Sequence, residues 1–406
     1  VTETNWARNV TYGATEIHRP TSLAQLQSLV AGSGKIRALG TKHAFNLLAD
    51  TTGELVSVRD LPPVIEVDSA AATVKVAAGL RYAELAGDLD RKGFALANLA
   101  SLPHISVAGA CATATHGSGM RNGSLATSVA GLEIVTADGD VVTINRGDED
   151  FNGAVVNLGA LGVVTSLTLD LLPAFDVRQY VYEGLPLDAD IMAVLGGAYS
   201  VSLFTDWSSS VINQVWVKQR VDEPDLVVPA NPADGPRHPV PGMPTENCTQ
   251  QLGVPGRWFD RLPHFRPEFT PSSGDELQAE FMVAREDAVD ALHAVNEMRD
   301  RIHPVLQISE VRTIAADELW LSPYYQRDTV SIHFTLIADT AAVLPVVTLI
   351  EKQLEPFNPR PHWAKISTMP PETVRSRYER FPDFERLVGR LDPGGKFDNA
   401  FLSRLR

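Results

Sequence analysis

Five groups of residues in this 406-residue chain carry side chains suited to chemistry. The densest is the segment 101–123, SLPHISVAGACATATHGSGMRNG, in which small residues dominate. Such a run lets a backbone approach a bulky ligand and offer N–H groups to phosphate, although a tightly packed loop beneath a core reads the same way. Its Gly117-Ser118-Gly119 element lacks the G-x-G-x-x-G spacing and follows no clean strand, so nicotinamide binding is not expected. A second loop, GTKHAFN, runs through Gly40, Thr41, Lys42, His43, Ala44, Phe45 and Asn46 after a candidate strand. His43 is there either a hydrogen-bonded structural histidine or, with a well-placed partner, a nucleophile or metal ligand. His43, His104 and His116 raise the question of zinc. None has a carboxylate or second histidine at a local ligand spacing, and no metal is expected.

The other groups follow from period-two alternation in later strands. In 305–314, one face carries Leu306, Ile308, Glu310, Arg312 and Ile314, so two opposite charges share a face with apolar neighbours. Burying them is costly unless they pair or meet polar ligand groups; a structural ion pair at a sheet edge is the plain alternative. In 330–337, Val330, Ile332, Phe334 and Leu336 take one face, and Ser331, His333 and Thr335 the other. If these strands are neighbours, Glu310, Arg312, His333 and Thr335 form one polar patch able to hydrogen-bond adjacent hydroxyls, as a polyol or sugar requires. Lys365 follows the Pro-rich stretch 356–361 in a β-prone context, where a solvated lysine is the default reading.

These residues need a scaffold, and the first third supplies short strands and helices in an α+β pattern. Ser22 and Gln25 read as a capping box opening a helix through Leu29, ended by Gly32 or Gly34. Strands are expected at 35–39, 64–67, 73–76 and 163–171, a helix at 82–92 stopped by Gly93, and a hairpin at 131–145 turning on Asp138-Gly139. Hairpins interrupt the helices, so a regular βαβ rhythm is missing. Pro173 is a plausible domain boundary. Seven prolines in 223–245 mark a loop, either a disordered connector or a lid or structured excursion. Beyond it, strands at 277–283, 305–314 and 329–337 alternate with helices at 286–302 and from Thr340, the latter capped by Asp339.

Composition narrows the function classes. With 35 Lys+Arg against 50 Asp+Glu the formal charge is −15, which argues against a protein that coats nucleic-acid phosphates. No apolar run approaches the roughly 18–20 residues of a membrane span. The first ten residues lack the continuous apolar stretch of a signal peptide. Two cysteines, Cys111 and Cys248, cannot build a disulfide scaffold, and a reduced cytoplasm fits them best.

Four stretches together carry a resemblance: GTKHAFN, SLPHISVAGACATATHGSG, LGALGVVTSLTLDL (158–171) and DPGGKFDNAF (392–401). They resemble the FAD-linked oxidases of the vanillyl-alcohol oxidase type, and within them most closely the bacterial alditol (xylitol/sorbitol) oxidases. VSLFTDW, PVPGMP, FTPSSG (269–274) and the Arg360–Trp363 neighbourhood extend the likeness over essentially the whole chain. The resemblance implies a two-domain fold: a discontinuous FAD-binding domain of 1–172 and 367–406, with an α/β substrate-binding cap of 173–366 between.

It further implies that His43 is joined covalently to the flavin. The cofactor would be held by the 40–46 loop, by Ser106, Gly109, Ala110, Ala112, Thr113, Ala114, Thr115, His116 and Gly117, and by Val163, Val164, His362 and Asn399. Ser106, Glu310, Arg312, His333, Thr335 and Lys365 are implied to line the substrate pocket; the strand-face reading selects four of these independently. The implied reaction passes a hydride from the terminal carbinol carbon of an alditol to FAD and then electrons to O2, giving H2O2. His333 or a water network around Lys365 would take the proton. A sugar-lactone or aldonate-type FAD dehydrogenase with another electron acceptor shares the scaffold, and a non-catalytic polyol-binding protein is a rival of another class. A monomer is the expected state.

Overall fold

The computed structural model describes residues 3–268 and 275–406; the FTPSSG motif lies outside the described residues. Its largest feature is a nine-stranded sheet built from residues 176–361. Asp176–Pro186, Val211–Arg220, Ser200–Thr205, Leu306–Ile314, Thr329–Ile337 and Glu276–Ala284 follow one another across it. The short strand Arg360–Pro361 closes one end beside Glu276–Ala284, and Asn231–Pro232 and Gly256–Arg257 pair with Asp176–Pro186 at the other. Every pairing in it is antiparallel. Helices Ala288–Glu297 and Thr340–Leu354 cover one face, where Leu277, Ala279, Phe281 and Val283 meet Val330, Ile332, Phe334 and Leu336 in one core. That leaves the other face for polar groups.

The first third forms two further sheets. Glu16–His18, Glu54–Val56 and Ile36–Ala38 make a parallel three-stranded one. Ile65–Asp68, Thr73–Ala77, Val163–Asp170, Val129–Val135 and Val141–Asn145 make an antiparallel five-stranded one. The expected hairpin turns at Asp138-Gly139, with Gly139 at φ +85°, a region open to glycine without strain. The chain's end returns to this part of the molecule: Phe397 is fully buried among Leu26, Val30, Ile36 and Val163.

Most expected elements occur with shifted ends. Ser22 Oγ accepts from Gln25 N–H, but Gln25 Oε1 reaches Thr21 N–H rather than completing the box on Ser22. That helix is Leu23–Gly32, and the next is Tyr82–Arg91, followed by Gly93 at φ +83°. The long helix expected over 286–302 is two pieces, Ala288–Glu297 and Arg299–Ile302, broken where Met298 leaves helical geometry. His303-Pro304-Val305 forms a 3-10 turn, so the next strand starts at Leu306. Helix Thr340–Leu354 begins on Asp339, whose carboxylate accepts from Ala342 N–H.

Three long strands of the large sheet had no expectation, Asp176–Pro186, Ser200–Thr205 and Val211–Arg220, and neither did the short Glu16–His18 and Glu54–Val56. The first interrupts its apolar alternation with a fully buried Gln179, and the second is buried on both faces. Neither gives the clean alternation of a half-buried strand.

Candidate active site

Strands Leu306–Ile314 and Thr329–Ile337 are neighbours, with Glu310 directly opposite His333 and Arg312 opposite Ser331. On the far side of His333 stands Glu280, from Glu276–Ala284. Cross-strand partners point to the same face. Glu310, His333 and Glu280 therefore form a row across three strands, with Thr335 and Gln278 one step along.

The row is fully networked. Glu280 Oε1 accepts from His116 Nε2 (2.8 Å) and from Arg312 (3.2 Å), and Oε2 accepts from Lys365 Nζ. Lys365 Nζ lies 2.9 Å from His333 Nδ1, and His333 Nε2 lies 2.9 Å from Thr335 Oγ1. Glu310 Oε1 pairs with His264 Nε2 at 2.7 Å and faces Arg312 Nε at 3.4 Å. Burial opposes charge on both carboxylates. Lys365, His116 and Arg312 nevertheless hold Glu280 well below the usual range, and Arg312 with His264 does the same for Glu310. Burial pushes His333 down to about 4, with nearby Lys365 adding to it, so its ring is neutral at pH 7. Lys365 is lowered by burial and by Arg312, while Glu280 opposes the shift.

Opposite this face lies the first third of the chain, across a cavity of about 640 Å3. The histidine loop forms part of its wall. Phe45 N–H donates to Ala364 O (2.7 Å), and Asn46 Nδ2 donates to Trp363 O (2.8 Å) and Lys365 O (2.9 Å), so the loop is fastened to the lysine. His43 stacks on Trp6 with ring centroids 5.3 Å apart, and its Nδ1 sits 3.1 Å from Thr41 Oγ1. Burial holds this ring down to about 4, which keeps it neutral with a lone pair available. Small residues line the opposite wall: Ala78, Gly79, Gly109, Ala112, Gly159 and Gly162. A methyl group at Gly40 or Gly109 would come within 3.0 or 2.9 Å of Ser106 Oγ, so the backbone approaches closely here because side chains are missing. A cavity of this size with a small-residue wall and one polar face fits a dinucleotide-sized cofactor plus a small polar substrate.

All six expected substrate residues, Ser106, Glu310, Arg312, His333, Thr335 and Lys365, line this cavity. So do fourteen of the remaining expected cofactor contacts: Gly40 through Phe45, Gly109, Ala110, Ala112, Thr113, Thr115, His116, Val164 and His362. Five stand behind the wall. Asn46 spends its amide on backbone carbonyls, as above. Ala114 and Val163 are core residues. Gly117 packs on Asn98 and Leu99, and Asn399 donates to Leu47, Leu48 and Asp50 carbonyls.

Three contributors escaped the sequence reading. Glu280 had a usable signal, since alternation in 277–283 puts it on the polar face. His264 sits in an irregular stretch without periodicity. It is held by fully buried Lys218, whose Nζ donates to the carbonyls of Arg261 (2.7 Å), Leu262 (2.6 Å) and Pro263 (2.9 Å) immediately before it. Third, the Pro-rich stretch contributes His238, Pro239, Val240 and Met243 to the cavity wall.

Comparison with known proteins gives first the class. Residues 15–145 match an FAD binding domain family, and residues 275–405 match the D-arabinono-1,4-lactone oxidase family. The fold is shared with cholesterol oxidase from B. sterolicum at a TM-score of 0.78, over 99% of this chain and 96% of that one, with 16% identity. This is an FAD-dependent oxidoreductase of the vanillyl-alcohol oxidase type.

Within that class, the chain is 54% identical to the alditol oxidase of Streptomyces sp. strain IKD472 over 99% of its own length and 98% of that protein's. The L-gulono-1,4-lactone dehydrogenase of Mycobacterium tuberculosis is 28% identical over 99% and 98%, and the L-gulonolactone oxidase of Bos taurus 26% over 99% and 97%. The chain belongs to the alditol oxidase family.

Proposed function

We propose that this protein oxidises the terminal primary alcohol of alditols such as xylitol and sorbitol to the aldose, with O2 as electron acceptor and H2O2 as product. FAD is held between residues 1–172 with 367–406 and a substrate cap of 173–366, linked covalently through His43. The single observation that carries the reading is the polar row Glu310–His333–Glu280 with Arg312, Thr335 and Lys365, facing the His43 loop across one cavity. A run of adjacent donors and acceptors at strand spacing suits a chain of adjacent hydroxyls.

Bound FAD would supply the two-electron chemistry of alcohol oxidation and of electron delivery to O2. The chain's own residues position and deprotonate. Glu310 and Arg312 fix hydroxyls beside the reacting carbon, with Ser106 and Thr335 on its neighbours, and much of the rate comes from this orientation. The proton of the reacting hydroxyl goes to Lys365 Nζ. Both nitrogens of His333 are engaged, by Lys365 and Thr335, whereas Lys365 has three proton positions and, among the described residues, two partners. His333 holds the lysine in place. Cys111 and Cys248 are free and buried, which supports a cytoplasmic setting, and a monomer suffices because the row is built from one chain.

The test is a substrate panel read by peroxide release, containing xylitol, sorbitol, L-gulono-1,4-lactone and D-arabinono-1,4-lactone. Alditols should give the fastest release; turnover confined to lactones, or reduction without peroxide, would reject the reading. The purified protein should be yellow, and its colour should stay with the acid-precipitated chain; colour lost to the supernatant removes the covalent link alone.

A further inference from the structure

Glu280 belongs to the polar row but takes no proton in the reaction described above. It is fully buried and touches His116, Arg312 and Lys365 together. It also stands beside His333, whose Nδ1 is 3.6 Å from Glu280 Oε2 and 2.9 Å from Lys365 Nζ. The groups facing Lys365 are Glu280 and His333 from their strands, Glu310 and Arg312 from the next, and His116 and His362 from the segments packed beside them. Glu280 and Glu310 are the two carboxylates among these groups, and Lys365 and Arg312 the two strong bases. Removal of Glu280 alone leaves Lys365 beside Arg312 with one anion fewer.

We propose that Glu280 is a positioning residue that holds Lys365 as an ammonium in the resting site and so sets the pH at which Lys365 becomes free to take the substrate's hydroxyl proton. This rests on the alditol oxidase reading and on Lys365 as proton acceptor. The geometry gives the sign. An anion in contact with Lys365 favours its charged form, so the lysine must shed a proton before it can accept one. Flavin reduction then rises with pH through the lysine's transition. An opposite charge at this distance displaces such a transition by about 1–3 pH units. Burial and Arg312 act the other way, bringing the balance point down from the ordinary lysine range.

The test is anaerobic stopped-flow reduction of the flavin by xylitol across pH 5.5–9 in the holoenzyme, Glu280→Gln and Glu280→Asp. In Glu280→Gln the acid limb should move down by at least one pH unit while the plateau falls roughly tenfold from lost positioning. Glu280→Asp keeps the charge at a longer reach, so its limb should lie between the two. A limb that stays put or moves up in Glu280→Gln overturns the proposal, because a purely structural role lowers the plateau alone. If Glu280→Gln does not retain flavin, Glu280→Asp decides: an unmoved limb overturns it.

A substrate-free pH titration of the flavin visible spectrum supplies a readout independent of turnover. The transition that Lys365→Met abolishes should shift in Glu280→Gln by the same amount as the rate limb. If the wild-type flavin is not reduced by any alditol, the functional reading fails. The spectral titration still tests the coupling of Glu280 to Lys365.

Discussion

At the scale of single residues, the site is a problem in proton placement. His333 and Lys365 touch, and only one can be the acceptor. His333 spends both nitrogens on protein partners, so replacing it should disturb geometry more than chemistry. Lys365→Met should therefore lower the flavin reduction rate by about 10²–10⁴-fold, the usual worth of a general base, with the flavin spectrum retained. His333→Gln, which still offers an acceptor to Lys365, should cost no more than about tenfold. Stopped-flow reduction separates the two, and equal losses would return the base to His333. The sequence already showed part of this. Glu310, Arg312, His333 and Thr335 were readable as a patch because two strands alternate cleanly. Glu280 carries the same signal in LQAEFMV, but its meaning depends on which strand lies beside Thr329–Ile337, and alternation does not encode strand order. His264 and Lys218 were out of reach altogether, since their roles come from an irregular turn meeting a buried lysine.

Elements place these residues, and the Pro-rich stretch shows how composition can mislead about an element. Seven prolines in 223–245 permit either a loose connector or a built wall, and the hydrogen bonds show a wall. Asn231–Pro232 pairs with Asp176–Pro186, and Gln214 Nε2 donates to His238 O at 3.0 Å. Arg237 pairs with Glu183, while buried Gln251 accepts from Arg237 N–H (2.8 Å) and donates to Arg237 O (2.7 Å). Gln251 thus acts as a clamp on the segment that brings His238, Pro239 and Met243 to the cavity. Gln251→Ala removes two backbone hydrogen bonds, about 1–2 kcal/mol of local order. The wall meets the substrate side, with His238 packed on Phe265 next to His264, the partner of Glu310, so KM for the alditol should rise roughly 5–20-fold with kcat within twofold. Steady-state peroxide assays would show it. A fall in kcat at constant KM would mean the segment acts on the chemical step instead.

On the scale of the whole molecule, the His43 side of the cavity rests on contacts that span nearly the full sequence. Ile36 N–H donates to Lys396 O, Lys396 Nζ reaches Val30 O and Ala137 O, and Phe397 fills the core beneath them. Asn399 completes this closure. Its Oδ1 caps the last helix through Leu402 N–H (2.9 Å), and its Nδ2 donates to the carbonyls of Leu47, Leu48 and Asp50 at 3.0, 3.0 and 2.8 Å. Those carbonyls belong to the turn that follows the His43 loop directly. Resemblance alone tied the DPGGKFDNAF tail to the first part of the chain, since no local pattern says that a chain end returns to a loop about 350 residues earlier. Asn399→Ala takes a donor from Asp50 O and the cap from Leu402 N–H, while Leu47 O keeps Asp50 N–H and Leu48 O keeps Arg37 Nη2; the cost of about 1–3 kcal/mol should lower Tm by a few degrees. If the turn steadies His43, the fraction of chain carrying acid-stable flavin should fall as well. Asn399→Asp keeps the acceptor for Leu402 but sets a carboxylate against three carbonyl oxygens, so it should be the worse of the two. A normal Tm with full flavin content in both variants would show that the chain's end covers the cofactor loop without holding it.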